Sequence, residues 1–507
     1  MKRLFSTPLD HLLADYWGRV EPSYRKAIFI VVVVNLLAFG YEMTNLTLNH
    51  DDVWQIFITT PTLGYDLGRF GLAWLHYYGQ NAYFMPFLQM AEGISLMTAY
   101  GALIAHFWGV KKTTDIVLIA SIVSVFPFMA QIYQYNTAMA PYPLAHLLAA
   151  TAVFLSARAN SLAVAISAVL YVIAFSIYQS VIANAAVIFL VWALGVLIFN
   201  KEPMARSFRM LARSTVGVLV AVISGSLVYL FLVSEMNIAL DSYQGADQAF
   251  KLNEGVNLIQ SATEVVQGTR SFFFWPENYF PEYLKKLQLF FLLGAIFYCL
   301  WVPRGVVLKL MAALVFVLIV LAPRLLQFIH PAGHYHNLTL TGYAIVIAGF
   351  VMIVMRSGQT PVRNLSLIMA SALVVGYVMQ CNWISTVNQL NFYAHYSTMS
   401  QILGRIESLP ADQLNGRKVV VVGSYDMPSD YPFRPATGVA KEFIDADHIQ
   451  KLARLMREDV IFVKADSSMP AALDYAAHHA SWPRPDSVGM VDGMAVLVLS
   501  RPTISHE

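Results

Sequence analysis

The stretch Ala27-Ile-Phe-Ile-Val-Val-Val-Val-Asn-Leu-Leu-Ala-Phe-Gly-Tyr41 decides the fold. It carries no charge. In lipid such a run must satisfy its own backbone polar groups, and a helix does so within one segment. Just upstream lie Lys2, Arg3, Arg19, Arg25 and Lys26, bases that hold this end in the cytoplasm. Met1 to Lys26 contains no long apolar core, so no cleavable leader is expected and the run stays as a signal anchor.

The pattern repeats along the chain. Of 507 residues, 57% are hydrophobic and 13% charged, where a soluble protein has about 25% charged. Apolar runs follow near Phe84–Phe107, Ile116–Ile132, Leu144–Leu155, Leu162–Tyr178, Val181–Phe199, Thr215–Val233, Leu287–Trp301, Val306–Ala322, Leu338–Met355 and Leu365–Met379. With the first run they predict about eleven transmembrane helices. Bases crowd alternate connections, among them Lys111 and Lys112, Lys201 to Arg213, and Arg356 with Arg363. That asymmetry places the N-terminus inside and the C-terminus outside. The net charge of +2 gives no electrostatic reason for a nucleic-acid partner. Cys299 and Cys381 are expected near opposite membrane faces and unbridged.

The expected fold is thus an α-helical polytopic membrane protein with a small C-terminal α/β domain. Residues 1–380 form the transmembrane domain, with large outer loops at 42–83 and 234–286. Residues 381–507 are richer in glycine, proline and charge, and no run reaches spanning length. There the pattern predicts strands at Lys418–Gly423, Val460–Lys464 and Met494–Leu499, and helices at Ala446–Arg457 and Pro470–His479. That alternation implies a partly parallel sheet on the outer side. Gly423-Ser424 lacks the further glycines of a phosphate loop.

Candidate chemistry crowds the outer rim. The first outer loop holds Asn49-His-Asp51-Asp52 and then Asp66-Leu-Gly-Arg69. A carboxylate at a low-dielectric rim is a strengthened base able to take a proton from a sugar hydroxyl. Helix N-capping is the competing use of one of the two aspartates. Arg69 suits a phosphodiester because its planar fork stays charged, although an i,i+3 pair with Asp66 is equally open. Glu92 lies inside the second run, one turn from Gln89, and an acid there is a candidate substrate ligand. His146 is similar and weaker. Tyr133-Gln-Tyr135-Asn136 and Tyr178-Gln179 offer phenols and amides to a sugar, with aromatic-belt packing as the alternative. Arg324 and the loop His330 to Asn337, with His334 and His336, offer contacts to phosphate or sugar. The histidine spacing fits no zinc pattern, so neither metal nor cofactor is expected.

These residues, in this order, resemble the bacterial and phage glucosyltransferases of serotype conversion, the Gtr type II family. The likeness rests on the acidic pair, the Asp-x-Gly-Arg sequence, Tyr-x-Tyr-Asn and Tyr-Gln, and covers about Phe29 to Arg405. It implies a GT-C-like enzyme of the bacterial inner membrane. Such an enzyme takes glucose from an undecaprenyl-type phosphate donor on the periplasmic side and gives it to O-antigen or another surface glycan. A flippase and a polyprenyl-phosphate-glucose synthase are the implied neighbours. The base falls on Asp52 first and Asp51 second, with Arg69 and Arg324 on the donor phosphate. The competing readings are a flippase or transporter of lipid-linked sugars, and a GT-C enzyme moving another sugar or phosphoethanolamine.

Overall fold

A computed structural model describes residues 15, 17–200, 202–241, 258–275, 277, 279–302, 305–329, 335–356, 359–410, 418–425 and 444–501. The chain divides into two compact units. One comprises Met1–Thr44, Thr59–Tyr133 and Thr137–Asn382. The other comprises Asn45–Ile58, Gln134–Asn136 and Trp383–Glu507.

The first unit is helical. Its run begins with α1 (Pro22–Thr44); α2 (Asp52–Gln55) belongs to the second unit. Then come α3 (Phe70–Trp74), α4 (Pro86–Phe107), α5 (Thr113–Ser124), α6 (Pro127–Tyr133), α7 (Pro141–Ser156), α8 (Ser161–Ile177), α9 (Val181–Phe199) and α10 (Met204–Glu235). After these follow α11 (Leu258–Phe274), α12 (Glu282–Trp301), α13 (Val306–Leu321), α14 (Leu325–Ile329), α15 (Gly342–Arg356) and α16 (Thr360–Glu407).

Among the described residues, eight helices are long and apolar enough to cross a bilayer, and a ninth if α5 and α6 count as one span. Those two meet at a 53° bend. Pro127 opens α6 and cannot donate to the preceding turn, which breaks the ladder there. The remaining two apolar runs form α7 and α8, shorter apolar helices. Every run singled out in the sequence is therefore helical. Close packing joins α8 to α10: a Cβ on Gly225 would lie 2.7 Å from the Cβ of Tyr171 and 2.9 Å from Ala168 O. Small residues at such crossings let helix backbones approach where lipid supplies no hydrophobic drive. Cys299 and Cys381 are both buried free thiols.

The sequence separates a span at Leu365–Met379 from a later helix at Asn391–Ser408; the structure makes them one. At 48 residues, α16 is about 72 Å long, well over the ~30 Å of bilayer hydrocarbon. Its first part belongs to one unit and its last, from Trp383, to the other.

The second unit carries a four-stranded sheet. Its elements are β1 (Lys418–Val422), α17 (Ile449–Leu455), β2 (Ile461–Lys464), α18 (Pro470–His478), β3 (Val488–Val491) and β4 (Met494–Val498). The strand order is β2-β1-β4-β3. β1 pairs parallel with β2 (Val419 opposite Phe462) and with β4 (Val420 opposite Val496), while β3 and β4 form an antiparallel hairpin. Ala472 and Ala476 of α18 pack on Val420, Val422, Val496 and Val498, which makes one face of the sheet a core. The end of α16 is tied to this core by Arg405, which lies 4.4 Å over the Trp482 ring and donates to Arg484 O.

Candidate functional site

The acidic turn belongs to the second unit. Asn49 and Asp52 cap each other: Asn49 Oδ1 accepts from Asp52 N at 2.8 Å, and Asp52 Oδ2 accepts from Asn49 N at 3.1 Å. This is a capping box, reciprocal because each side chain takes the other's free N–H. It opens α2. The carboxylate then receives Asn136 twice, through its backbone N at 3.0 Å and its Nδ2 at 2.7 Å. Asn136 Nδ2 also reaches Thr47 O, and Asn49 Nδ2 reaches Gln134 O. Asp52 has no exposed surface. Burial drives its pKa up to about 7, against the pull of the Asn136 and Asn49 hydrogen bonds.

Asp51 is the other kind of acid. It sits at the N-cap position of α2, yet its side chain makes no capping bond. That side chain is 42% exposed and lies 3.3 Å from His50 Nε2. Burial raises its pKa, but the His50 hydrogen bond and the charges of His50, Lys451 and His448 outweigh it, and the net shift is downward. Asp51 is held ionised.

Three side chains of and before α17 face this turn. The His448 ring meets the His50 ring at 4.8 Å. Lys451 Nζ lies 6.0 Å over the Trp54 ring, and the Arg454 guanidinium lies 4.1 Å over Phe57. Lys451 and Arg454, with Val53, Trp54, Phe57 and Ile58, line a cavity of about 300 Å³. The sequence reading passed over all three. They lie roughly 400 residues downstream of the acids, and no local pattern joins the two stretches.

The other expected residues fall in the first unit. Asp66 is exposed on a 3-10 turn, Tyr65–Leu67, between Gly64 (φ 64°) and Gly68 (φ 73°). Arg69, partly buried, donates to Tyr142 OH at 2.8 Å and Gln179 Oε1 at 3.4 Å, with the Tyr178 ring 5.6 Å away. Gln179 Nε2 in turn reaches Leu67 O and Tyr229 OH. The Asp-Leu-Gly-Arg and Tyr-Gln stretches therefore do converge. Arg324 stands in another cluster: it donates to Tyr343 OH at 3.0 Å and Gln327 Oε1 at 2.7 Å, and its guanidinium packs against Gly268. Glu277, raised by burial and drawn back by Lys285 and Arg324, belongs to the same cluster.

Several expected sugar contacts have other uses here. The Asn136 amide, 2% exposed, is committed to Asp52 and Thr47. Tyr178 is fully buried and its phenol bonds Leu338 O at 3.0 Å. Neither offers a polar atom to an open surface; both hold backbone in place. Tyr135 and His336 are partly buried. Glu92 points outward, while its neighbour Gln89 is buried and bonds Gln80. His146 is buried between Tyr142 O and Thr341 Oγ1. Glu42, counted in the sequence only as the start of the loop, is a buried acid at the last turn of α1. His334 lies outside the described residues. Among the described residues, no group of three His, Cys, Asp or Glu is placed to hold a metal ion.

A family model described as Glucosyl transferase GtrII matches residues 40–386. No curated protein matches the chain.

Proposed function

We infer the reaction from one premise: this chain belongs to the GtrII glucosyl transferase family. It is therefore a glycosyltransferase, built on apolar helices of membrane-spanning length. In our reading it works at the periplasmic face of a bacterial inner membrane. The donor is a polyprenyl-phosphate glucose and the acceptor is O-antigen or another surface glycan. A flippase and a synthase for that donor are its functional neighbours.

Asp51 serves as the base. The preference given to Asp52 on sequence is reversed, because Asp52 is enclosed and three N–H groups already occupy its oxygens. The observation that carries this reading is an open carboxylate held ionised by His50 and by the charge of Lys451, which with Arg454 lines a cavity, both cations lying on aromatic faces. The acceptor hydroxyl loses its proton to Asp51 as its oxygen bonds the anomeric carbon. The bond from that carbon to the phosphate oxygen breaks with its electron pair. Lys451 and Arg454 offset the negative charge that grows on the phosphate. The leaving group is a stable anion, so no general acid is required. One base and a single displacement give inversion at the sugar. Asp52, Asn49 and Asn136 position Asp51 by fixing the turn. Arg69, which donates to Gln179, and Arg324 are proposed as further anion-binding groups.

The test is transfer from labelled polyprenyl-phosphate glucose by purified full-length protein. Wild type is expected to move label to polysaccharide and Asp51→Asn to lose that activity. Equal transfer by the two, at equal folded protein, removes Asp51 as the base.

A further inference from the structure

The second unit contains another cavity, of about 410 Å³, that the reaction above does not use. It lies where the parallel strands end. Gly423 and Ser424 follow β1, Lys464 closes β2, and Ser500 and Arg501 follow β4; all line it. From β1 the chain first moves to one side, to β2, and then returns past it to β4 on the other. Such a reversal parts the loops at the carboxyl ends of the strands and leaves a crevice there, the usual ligand position in open α/β sheets.

The walls are pinned. Gly423 has φ +80°, and a Cβ there would lie 2.8 Å from Ser500 N, so only glycine lets the β1 and β4 loops meet. Ser500 Oγ accepts from Ser424 N at 3.1 Å. On the far wall Asp445 accepts from the backbone N of Asp447 and of His448, and Lys464 Nζ meets Asp447 Oδ2 at 2.9 Å.

We propose that this crevice binds the acceptor glycan. Its charges balance, Asp445 and Asp447 against Lys464 and Arg501, with two serine hydroxyls between. Carboxylates that accept and cations that donate suit vicinal sugar hydroxyls, which do both. A phosphate would meet two carboxylates, so the crevice is unsuited to the donor headgroup. A short path leads from it to the base. Asp445 binds the His448 ring at 2.7 Å, that ring meets His50, and His50 meets Asp51. An acceptor seated in the crevice beside Asp445 is thus anchored a short chain of side chains from the proposed chemistry. This assignment rests on the glycosyl-transfer reading for its choice of ligand.

The experiment titrates full-length protein in lipid nanodiscs with the soluble polysaccharide released by mild acid from the encoding cell. The variant is the triple Asp447→Ala/Lys464→Ala/Arg501→Ala. It removes only exposed side chains, so its fold is retained. Affinity should fall at least about tenfold in the triple, the loss of one good polar contact. Equal affinity in wild type and the triple, or no binding by wild type, overturns the proposal. Wild type that binds the polysaccharide yet adds no hexose to it fails the transfer reading while the crevice stands.

Discussion

Asp52 has no exposed surface and receives three N–H groups, whereas Asp51, one residue earlier, leaves 42% of its side chain open beside His50. Successive residues on a helical turn point about 100° apart, so an acidic pair is divided between inside and outside by geometry alone. The inner acid joins three chain segments, at Thr47–Asn49, Asp52 and Asn136. The outer acid faces solvent and cations. In the proposed reaction two identical side chains serve structure and chemistry separately, and each prediction below presses on that division.

The largest effect belongs to the outer acid. Asp51→Asn should lower transfer by about 10²- to 10⁴-fold, the usual worth of a positioned base, with membrane level and melting temperature unchanged. Next come its cations. Lys451→Ala with Arg454→Ala should lower kcat/KM for the lipid donor by roughly ten- to a hundredfold, since a hydrogen bond to a charged group is worth about 1.5–3 kcal/mol. A kcat/KM equal to wild type would leave those cations with packing alone.

The inner acid should answer in stability. Asp52→Ala leaves one N–H of Asn136 Nδ2 and two backbone N–H groups unpaired, and each buried group left unpaired costs about 1–3 kcal/mol. Thermal unfolding in detergent should show a clear drop for Asp52→Ala and for Asn136→Ala. The double variant should lose less than their sum, because both remove one network.

The smallest effect is a pH slope. The folded pKa of Asp52 is raised from 3.8 to about 7. Below 3.8 both folded and unfolded states hold the proton. Between 3.8 and about 7 the unfolded chain releases it first, so stability falls as pH rises, and above about 7 it levels off. Denaturant unfolding from pH 5 to 8 should show this decline in wild type and lose it in Asp52→Asn. A parallel decline in both would place its origin elsewhere.

Much of the fold was legible because its signals are local. Uninterrupted apolar runs named the helices, and a run of four valines ending at Gly423 named β1 as a buried strand. The hairpin of β3 and β4 was missed although its turn is Asp492-Gly493, both at positive φ, a strong hairpin signal. Gly489 in the middle of β3 weakened the alternation that would have drawn attention to it. The site was legible in part. Helix N-capping was open for one of the two aspartates, and the capping-box spacing of Asn49-x-x-Asp52 is the local sign that it is Asp52. The Asp52–Asn136 bond spans 84 residues, and Lys451 and Arg454 come from the other end of the chain. Such pairings arise from tertiary packing, for which one sequence carries no periodic trace.

The most direct measurement is mass spectrometry of the surface polysaccharide from cells lacking this gene and complemented with wild type or Asp51→Asn. The account predicts one added hexose per repeat with wild type and none with Asp51→Asn at equal membrane level. Full hexose addition by Asp51→Asn would contradict it.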